Sequence, residues 1–216
     1  MVLINLSTPQ IIFIIVASVV VLVGIFLAIY IPVKKKRKNK FFREYYYKKV
    51  YSIAFDQDYY LINKFTFKTD TNKMSVIDHI LFGNKYIYLI SDLYYEGNLS
   101  GSYDDKSLVF VNNNGKKSYT DNPFTRSEML LTCLSISANQ QPGNLIGIVL
   151  VNDECKLDIN SNSKQYFIVQ RKKLPALIKE LESREVGTLN AQNLERAVKN
   201  INSMNKKKKV NDSKRA

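Results

Sequence analysis

The chain has 216 residues, of which 45% are hydrophobic, and its 32 Lys and Arg against 19 Asp and Glu give a formal net charge of +13. A single histidine and two cysteines, Cys133 and Cys155, exclude a zinc site of the common kinds and predict reduced, structural thiols. The sequence contains no G-x-x-x-x-G-K-S/T, G-x-G-x-x-G or G-x-S-x-G motif, so nucleotide hydrolysis, dinucleotide binding and serine-hydrolase chemistry have no support.

An uncharged apolar segment lies near the start of the chain. Residues 11–31 contain no charged side chain, and at about 1.5 Å per residue a helix of that length crosses a hydrocarbon core of about 30 Å. A cleaved signal peptide would place positive charge before a shorter apolar region and small residues at the cut, and these residues show neither. We expect residues 11–33 to form a retained transmembrane helix after a short extracytoplasmic N terminus, residues 1–10.

Basic side chains follow this segment directly: Lys34, Lys35, Lys36, Arg37, Lys38 and Lys40. Because clusters of Lys and Arg beside a span remain in the cytoplasm, they predict a single-pass protein of the cell membrane, with its N terminus outside and a cytoplasmic domain. The juxtamembrane segment 34–40 is also expected to attract the anionic headgroups of the lipid bilayer.

Charge divides unevenly along the chain. Residues 34–49 carry a net +8 and residues 199–216 a net +6, whereas residues 50–198 carry a net −1. A groove that neutralises several phosphates normally makes its domain basic, so the domain itself does not predict a nucleic-acid groove. The basic flanks are interpreted as a topology signal and a membrane-surface patch, and non-specific binding of nucleic acid by either flank stays open as the alternative.

Hydrophobic periodicity predicts the elements of the domain, residues 41–203. An amphipathic helix from residue 41 leads to a strand at 59–67, two buried strands around Gly83-Asn84, a hairpin around Asp104-Asp105 and a short strand at 117–120. Asn122-Pro123 begins a helix, with Asn as cap and Pro at the first position. A buried strand at 145–151 beside the central hairpin, a strand at 165–169 and two helices follow, and the polar tail 204–216 is expected to be disordered.

Two details of this pattern bear on a functional site. In the strand at 59–67, Ile62 and either Phe65 or Phe67 are expected to point inward. Asp78 lies inside the first buried strand, where an unpaired charge costs on the order of several kcal/mol, so the site must supply a partner or a cation. His79 beside it is interpreted as a packed or capping imidazole rather than a catalytic base.

Four short motifs lie in and after this strand: Asp78-His79-Ile80-Leu81, Tyr86-Ile87-Tyr88-Leu89-Ile90, Tyr94-x-x-Gly97-x-x-x-Gly101 and Asn122-Pro123. They resemble the pattern of NERD domains, the nuclease-related domains of the PD-(D/E)xK superfamily, over about residues 44–183. The resemblance implies an α/β (α+β) fold in which a central mixed sheet is flanked by helices. It also implies an ancestral role in magnesium-dependent cleavage of nucleic acid.

The sequence departs from the superfamily at the catalytic motif. There, an Asp is followed one strand later by Glu-x-Lys, whose side chains share one face beside the Asp. The Asp is Asp78, but the Glu and Lys positions are Ser91 and Leu93, which can neither hold a hard cation nor steady developing charge. Asp92 is one residue out of phase and faces the opposite side unless a β-bulge re-aims it. The loop carboxylates Glu96, Asp104 and Asp105 could replace the missing Glu as ligands of a metal ion, although carboxylates in loops are usually solvated.

Two further positions follow from the resemblance. A Gln commonly follows the Asn-Pro pair in the family, and Arg126 stands there in this sequence, either as a phosphate ligand or as an ordinary solvent-exposed side chain. Glu44 matches a Glu of the family's first helix that helps the metal site, but its spacing also predicts an ion pair with Lys48, four residues on, which we prefer.

Two main hypotheses follow. The first is a binding or scaffold protein: a membrane-anchored NERD-like domain without catalytic residues, which needs no cofactor and holds a protein or nucleic-acid partner near the membrane. The alternative is a membrane-tethered nuclease that binds magnesium through Asp78 and uses Asp92 or a displaced carboxylate. Self-association of the domain is a third possibility, and the sequence identifies neither the partner nor the oligomeric state.

Overall fold

The computed structural model describes residues 8–68 and 74–205 and divides the chain into two compact units, residues 1–42 and 43–216. Parts of two expected segments lie outside the described residues: the extracytoplasmic N terminus and the disordered tail. Those two expectations therefore stay predictions.

The first helix, α1 (Thr8–Asp56), is helical throughout except at Phe41, where φ is −113° and ψ is 18°. Within it, Val16–Lys34 has a mean hydropathy of 2.7 over 19 residues, and all its side chains are exposed. Its length and composition fit a membrane span, and a signal sequence near an N terminus fits the same description. The non-helical angles at Phe41 mark a kink between two helices, in agreement with the helix expected from residue 41. The backbone of the basic segment before the kink is also helical, and its side chains from residues 35 to 40 lie outside the description.

The second unit holds the other elements. In the part of the chain that the structure describes, they are β1 (Tyr60–Lys68), β2 (Met74–Phe82), β3 (Ile87–Asp92), β4 (Gly97–Ser102), β5 (Ser107–Asn112), β6 (Lys117–Asp121), α2 (Pro123–Ser137), β7 (Leu145–Val151), β8 (Lys156–Asn160), β9 (Tyr166–Gln170), α3 (Leu174–Glu182) and α4 (Ala191–Met204). Short 3₁₀ turns precede β7 and α3.

The central sheet has the order β1-β2-β3-β7-β9. Pairing is antiparallel from β1 to β3 and parallel from β3 through β7 to β9, so the sheet is mixed. Every residue of β7 is buried, as expected for a central strand with parallel neighbours. The mixed sheet with flanking helices confirms the expected fold class, and β7 lies beside the central hairpin as predicted.

A second, four-stranded sheet has the order β6-β5-β4-β8. The sequence predicted its first three strands but neither β8 nor a separate sheet, because β8 pairs in parallel with β4, a partner more than fifty residues away in sequence. Leu99 and Leu108 from this sheet pack with Val149, Val151 and Cys155, and this cluster joins the two sheets. Both cysteines are free thiols, and burial raises the pKa of Cys155 to about 11.

Helix α2 packs closely on β7 because Gly147 has no side chain. A Cβ atom there would lie 2.8 Å from Tyr166 Cδ1 and closer still to Ser127 Oγ, on the facing surface of α2. Real Cβ atoms do not approach other atoms so closely, so a larger residue would force the helix or β9 to move.

We expect Gly147→Ala to lower the free energy of unfolding by about 1–3 kcal/mol, the usual cost of overpacking. Adding Ser127→Ala removes the nearest contact and is expected to restore part of that loss. Gly143→Ala is the matched control, because a Cβ atom there meets nothing within 4 Å. Chemical denaturation followed by near-ultraviolet circular dichroism of the 14 tyrosines measures the effect. Equal stabilities of the two single variants would contradict the close packing.

Candidate functional site

A cavity of about 380 Å³ opens at the end of the central sheet in the second unit. Helix α1 and strands β1, β2 and β3 each contribute side chains to it. Its lining residues are Arg43, Glu44, Tyr47, Asn63, Lys64, Asp78, His79 and Asp92. The cavity therefore brings together both acidic residues proposed as catalytic, Asp78 and Asp92.

Asp78 is held by a backbone donor and by an arginine. The pairing of β2 with β3 runs regularly from Phe82 to His79, which lies opposite Ile90. Just beyond that pair, Asp92 N donates to Asp78 Oδ2 at 2.9 Å, so a side-chain oxygen serves as acceptor for the β3 backbone. Arg43 Nε lies 4.0 Å from Asp78 Oδ1. The partner expected for this carboxylate is thus a peptide N–H together with a guanidinium.

Asp92 is buried, with 3% of its surface exposed. Its Oδ2 lies 3.1 Å from His79 Nε2, whereas its Oδ1 is buried without a hydrogen-bond partner among the described residues. Burial raises the pKa of Asp92, and the adjacent His79 partly offsets that rise. His79 pairs with Ile90, and its contact with Asp92, two residues on, places the Asp92 carboxyl on the His79 face of β3. The regular β2–β3 pairing ends at His79 and Ile90, before Asp78 and Asp92.

His79 connects three elements of the site. Its ring packs against Tyr47 with the ring centroids 6.3 Å apart, and its Nδ1 lies 2.6 Å from Asn63 Oδ1. An amide oxygen only accepts, so Nδ1 carries a hydrogen in this arrangement. The hydrogen bond between Nε2 and Asp92 Oδ2 then needs a hydrogen on one of the two atoms, because two bare acceptors would repel each other. The ring is packed and both nitrogens are engaged, in agreement with the structural interpretation of this histidine.

Lys64 distorts β1 directly across from Asp78. It lies between the pairs Asn63–His79 and Phe65–Ile77, and its φ of 53° is in the left-handed region that a lysine rarely adopts. The distortion changes the alternation of the strand. Ile62, Phe65 and Phe67 are all buried, as expected for Ile62 and at least one of the phenylalanines, whereas strictly regular alternation would put Ile62 on the face opposite Phe65 and Phe67. Strained backbone of this kind concentrates at functional sites and here supplies a lysine to the cavity wall.

The donor set does not fit the magnesium ion that the superfamily would place here. A magnesium site needs oxygen ligands free to face the ion, but Asp78 faces a peptide N–H and Arg43, and one Asp92 oxygen faces His79. Glu44 Oε1 lies 2.8 Å from Lys48 Nζ, as its spacing predicted. Throughout the described ranges, no group of three or more His, Cys, Asp or Glu could hold a metal ion.

The remaining predicted site residues lie elsewhere. Leu93, at the superfamily's Lys position, packs against the cluster between the two sheets, and Arg126 is exposed on the first turn of α2. Glu96 accepts a hydrogen bond from the Tyr94 hydroxyl, and Asp105 accepts one from Ser102 N within the β4–β5 turn. None of these four residues lines the cavity.

The Asn122-Pro123 pair has a structural role. Asn122 Oδ1 accepts from Phe124 N at 3.0 Å and caps α2, as predicted. Its Nδ2 also donates to three backbone carbonyls at the β4–β5 turn, those of Ser102, Tyr103 and Asp105. The side chain therefore fastens the second sheet to α2, which the motif did not predict.

Sequence reasoning missed Arg43, Tyr47 and Asn63. The only sequence signal for Asn63 is its position in a strand that pairs with the one carrying His79. Arg43 and Tyr47 lie four residues apart on α1 and so share a helix face, but their contact with β2 depends on how the helix packs.

The raised pKa of Asp92 makes stability depend on pH. The folded state binds the Asp92 proton more tightly than the unfolded state, where the pKa is near the ordinary value of 3.8. The stabilisation linked to this proton is complete below that value and is lost as pH rises through the folded pKa. We expect the wild type to gain stability relative to Asp92→Asn as the pH falls from about 7 to about 4.

Denaturant titrations across this range, followed by the near-ultraviolet circular dichroism of tyrosine, measure the difference. Asp104→Asn removes a carboxylate from an exposed turn and is expected to follow the wild type at every pH. A constant difference between wild type and Asp92→Asn, or one of opposite sign, would show that Asp92 does not retain a proton in the folded state.

Comparison with known proteins agrees with the motifs. A sequence model of the NERD family, described as the nuclease-related domain, matches residues 38–151, from the basic segment of α1 through β7. No curated protein and no solved structure matches the chain. Because the match covers more than half of the 216 residues, the chain belongs to the NERD family of nuclease-related domains.

Proposed function

We propose that this protein is a single-pass membrane protein whose cytoplasmic NERD domain does not cleave nucleic acid and serves as a binding or scaffold module. The observation that carries the proposal is the composition of the cavity at Asp78. Both oxygens of Asp78 and one oxygen of Asp92 face an arginine, a peptide N–H and a histidine, so these three oxygens contact groups of the protein itself rather than a cation.

The loss of the superfamily's Glu and Lys supports the absence of cleavage. Hydrolysis of a phosphodiester requires a cation held by carboxylates, an activated water and a group that stabilises the developing negative charge. Ser91 has no ionised oxygen to offer, and the apolar side chain of Leu93 packs into the junction between the sheets. A domain so altered keeps its fold and its cavity, and those suit recognition of a partner, protein or nucleic acid, near the membrane.

The membrane anchor is supported by composition. The apolar stretch Val16–Lys34 is followed by the basic residues Lys34, Lys35, Lys36, Arg37, Lys38 and Lys40. Such a cluster retains its flank in the cytoplasm and is attracted by anionic lipids, by about 1 kcal/mol for each basic residue near the surface. The N terminus then faces outward and the second unit lies on the cytoplasmic side of the cell membrane.

One observation favours the alternative, a membrane-tethered, metal-dependent nuclease. Asp92 Oδ1 is buried in the cavity without a hydrogen bond from the described residues, close enough to Asp78 for that carboxylate to raise the Asp92 pKa. A second acid beside the conserved position of the superfamily's Asp is what a displaced active site would require. Direct assay separates the two functions.

We expect the purified full chain in detergent to leave single- and double-stranded DNA and RNA intact with either magnesium or manganese. The test compares wild type with Asp78→Ala, which removes the one acidic residue that the superfamily pattern retains. Asp158→Ala, at an exposed position of β8 outside the cavity, is the control for loss of an acid elsewhere. Metal-dependent cleavage by the wild type and the control, but not by Asp78→Ala, would establish the nuclease and overturn the proposal.

The anchor predicts an uncleaved protein with a cytoplasmic C terminus. We expect the membrane fraction to contain a chain with the intact mass of 24.9 kDa. A C-terminal fluorescent-protein fusion is expected to fluoresce and a C-terminal alkaline phosphatase fusion to be inactive in a bacterial host. Glutamine in place of the six basic residues of the segment 34–40 should allow some chains to insert in the opposite orientation. A shortened soluble chain, or an active phosphatase fusion, would contradict this topology.

A further inference from the structure

A second cavity, of about 370 Å³, shares none of its residues with the cavity at Asp78. Four of its lining residues lie on α1 at spacings of three and four, and therefore on one face of the helix. The others follow the ends of β7 and β9. The complete lining is Tyr45, Lys48, Lys49, Ser52, Asp153, Arg171 and Lys172.

The position of this cavity in the sheet is typical of a ligand site. Strands β7 and β9 are parallel, so their carboxyl ends lie at the same edge. Asp153 comes two residues after β7, and Arg171 comes directly after β9. Ligands of open α/β sheets bind in the crevice outside the carboxyl ends of parallel strands, and here α1 closes that crevice.

The polar side chains of the cavity are arranged for an anion. Asp153 Oδ2 accepts from both Nε and Nη2 of Arg171, and its Oδ1 accepts from Lys172 N at 2.7 Å. These bonds hold the guanidinium in place before any ligand arrives. With Lys48, Lys49 and Lys172, the lining has four cationic side chains against a single carboxylate. Lys48 is paired with Glu44, so Lys49 and Lys172 carry most of the uncompensated charge.

The surrounding charge favours a compact ligand. Lys48 and Lys49 belong to the stretch 34–49, which carries a net +8, but residues 50–198, which supply Arg171 and Lys172, have a net charge of −1 and do not form a basic domain. Binding along a nucleic-acid backbone needs a track of cations that neutralises successive phosphates. One cavity with a few convergent cations suits a single phosphomonoester group instead, because lysine ammonium groups and a fixed guanidinium are strong partners of its charged oxygens.

We propose that this second cavity is a phosphomonoester-binding site in which Lys49 and Lys172 contact the phosphate and Arg171, oriented by Asp153, completes the contact. The phosphate is carried by a lipid headgroup or by a small soluble molecule, which share this chemistry. The proposal does not depend on whether the cavity at Asp78 has nuclease activity, since the two cavities have no residue in common.

Binding is measured with the full chain in nanodiscs of neutral phosphatidylcholine and with fluorescent inositol 1,4,5-trisphosphate as the probe. We expect saturable binding of the probe that the double variant Lys49→Gln/Lys172→Gln weakens at least about tenfold. The control Lys116→Gln/Lys156→Gln removes the same charge from exposed positions outside the cavity and is expected to change affinity by less than about twofold. Circular dichroism checks that each variant keeps the wild-type fold.

Two further arms identify the source of the phosphate. Displacement of the probe by phosphatidylinositol 4-phosphate in the nanodisc, but not by phosphatidylserine at matched charge, supports a lipid headgroup. Displacement by inorganic phosphate alone supports a soluble ligand. Wild-type affinity in Lys49→Gln/Lys172→Gln, or an equal loss in the control, would overturn the proposal. Displacement by an oligothymidylate of about 20 nucleotides, dependent on Lys49 and Lys172, would overturn it in favour of a nucleic-acid backbone.

Discussion

The burial of Asp92 against His79 is the interaction on which the geometry of the site at Asp78 depends. A carboxyl group with 3% of its surface exposed is costly to ionise alone, and the imidazole 3.1 Å away compensates it. Asn63 and Tyr47 hold the imidazole in turn, while the backbone of Asp92 holds Asp78. Loss of one polar member leaves another buried group without a partner, so the cluster behaves as one network rather than as a set of separate ligands.

Helix α1 contributes side chains to both cavities, which lie at two places along the same edge of the sheet. Strands β3, β7 and β9 run parallel, so Asp92 at the end of β3 and Arg171 after β9 lie at the same side of the sheet. One face of α1 contributes to the cavity at Asp78 and another to the basic cavity. The ion pair between Glu44 and Lys48 joins the two faces, since Glu44 lines the first cavity and Lys48 the second. Both cavities thus lie along one edge of the sheet and are lined by the same helix.

Local pattern predicted most of the elements, and long-range pairing explains what it missed. The capped helix after Asn122, the buried strand β7 and the hairpin β4–β5 each depend on signals within a few residues, and each is present. Strand β8 depends on a parallel partner far away in sequence, and the turn at Lys64 depends on packing across from Asp78. Neither has a local signal, and strictly regular alternation along β1 would place Ile62 on the face opposite Phe65 and Phe67, although all three are buried.

Residue types could be read from the sequence, but the partners of the site residues could not. Ser91 and Leu93, which stand where the resemblance places the superfamily's Glu and Lys, carry neither an acid nor an ammonium group. The sequence did not show which groups face Asp78 and Asp92, because the residues around them, Arg43, Asn63 and His79, come from three different elements. The basic cavity was equally hidden. Lys48 and Lys49 are more than a hundred residues away from Arg171 and Lys172 in sequence, and the four converge only because two parallel strands end beneath one helix.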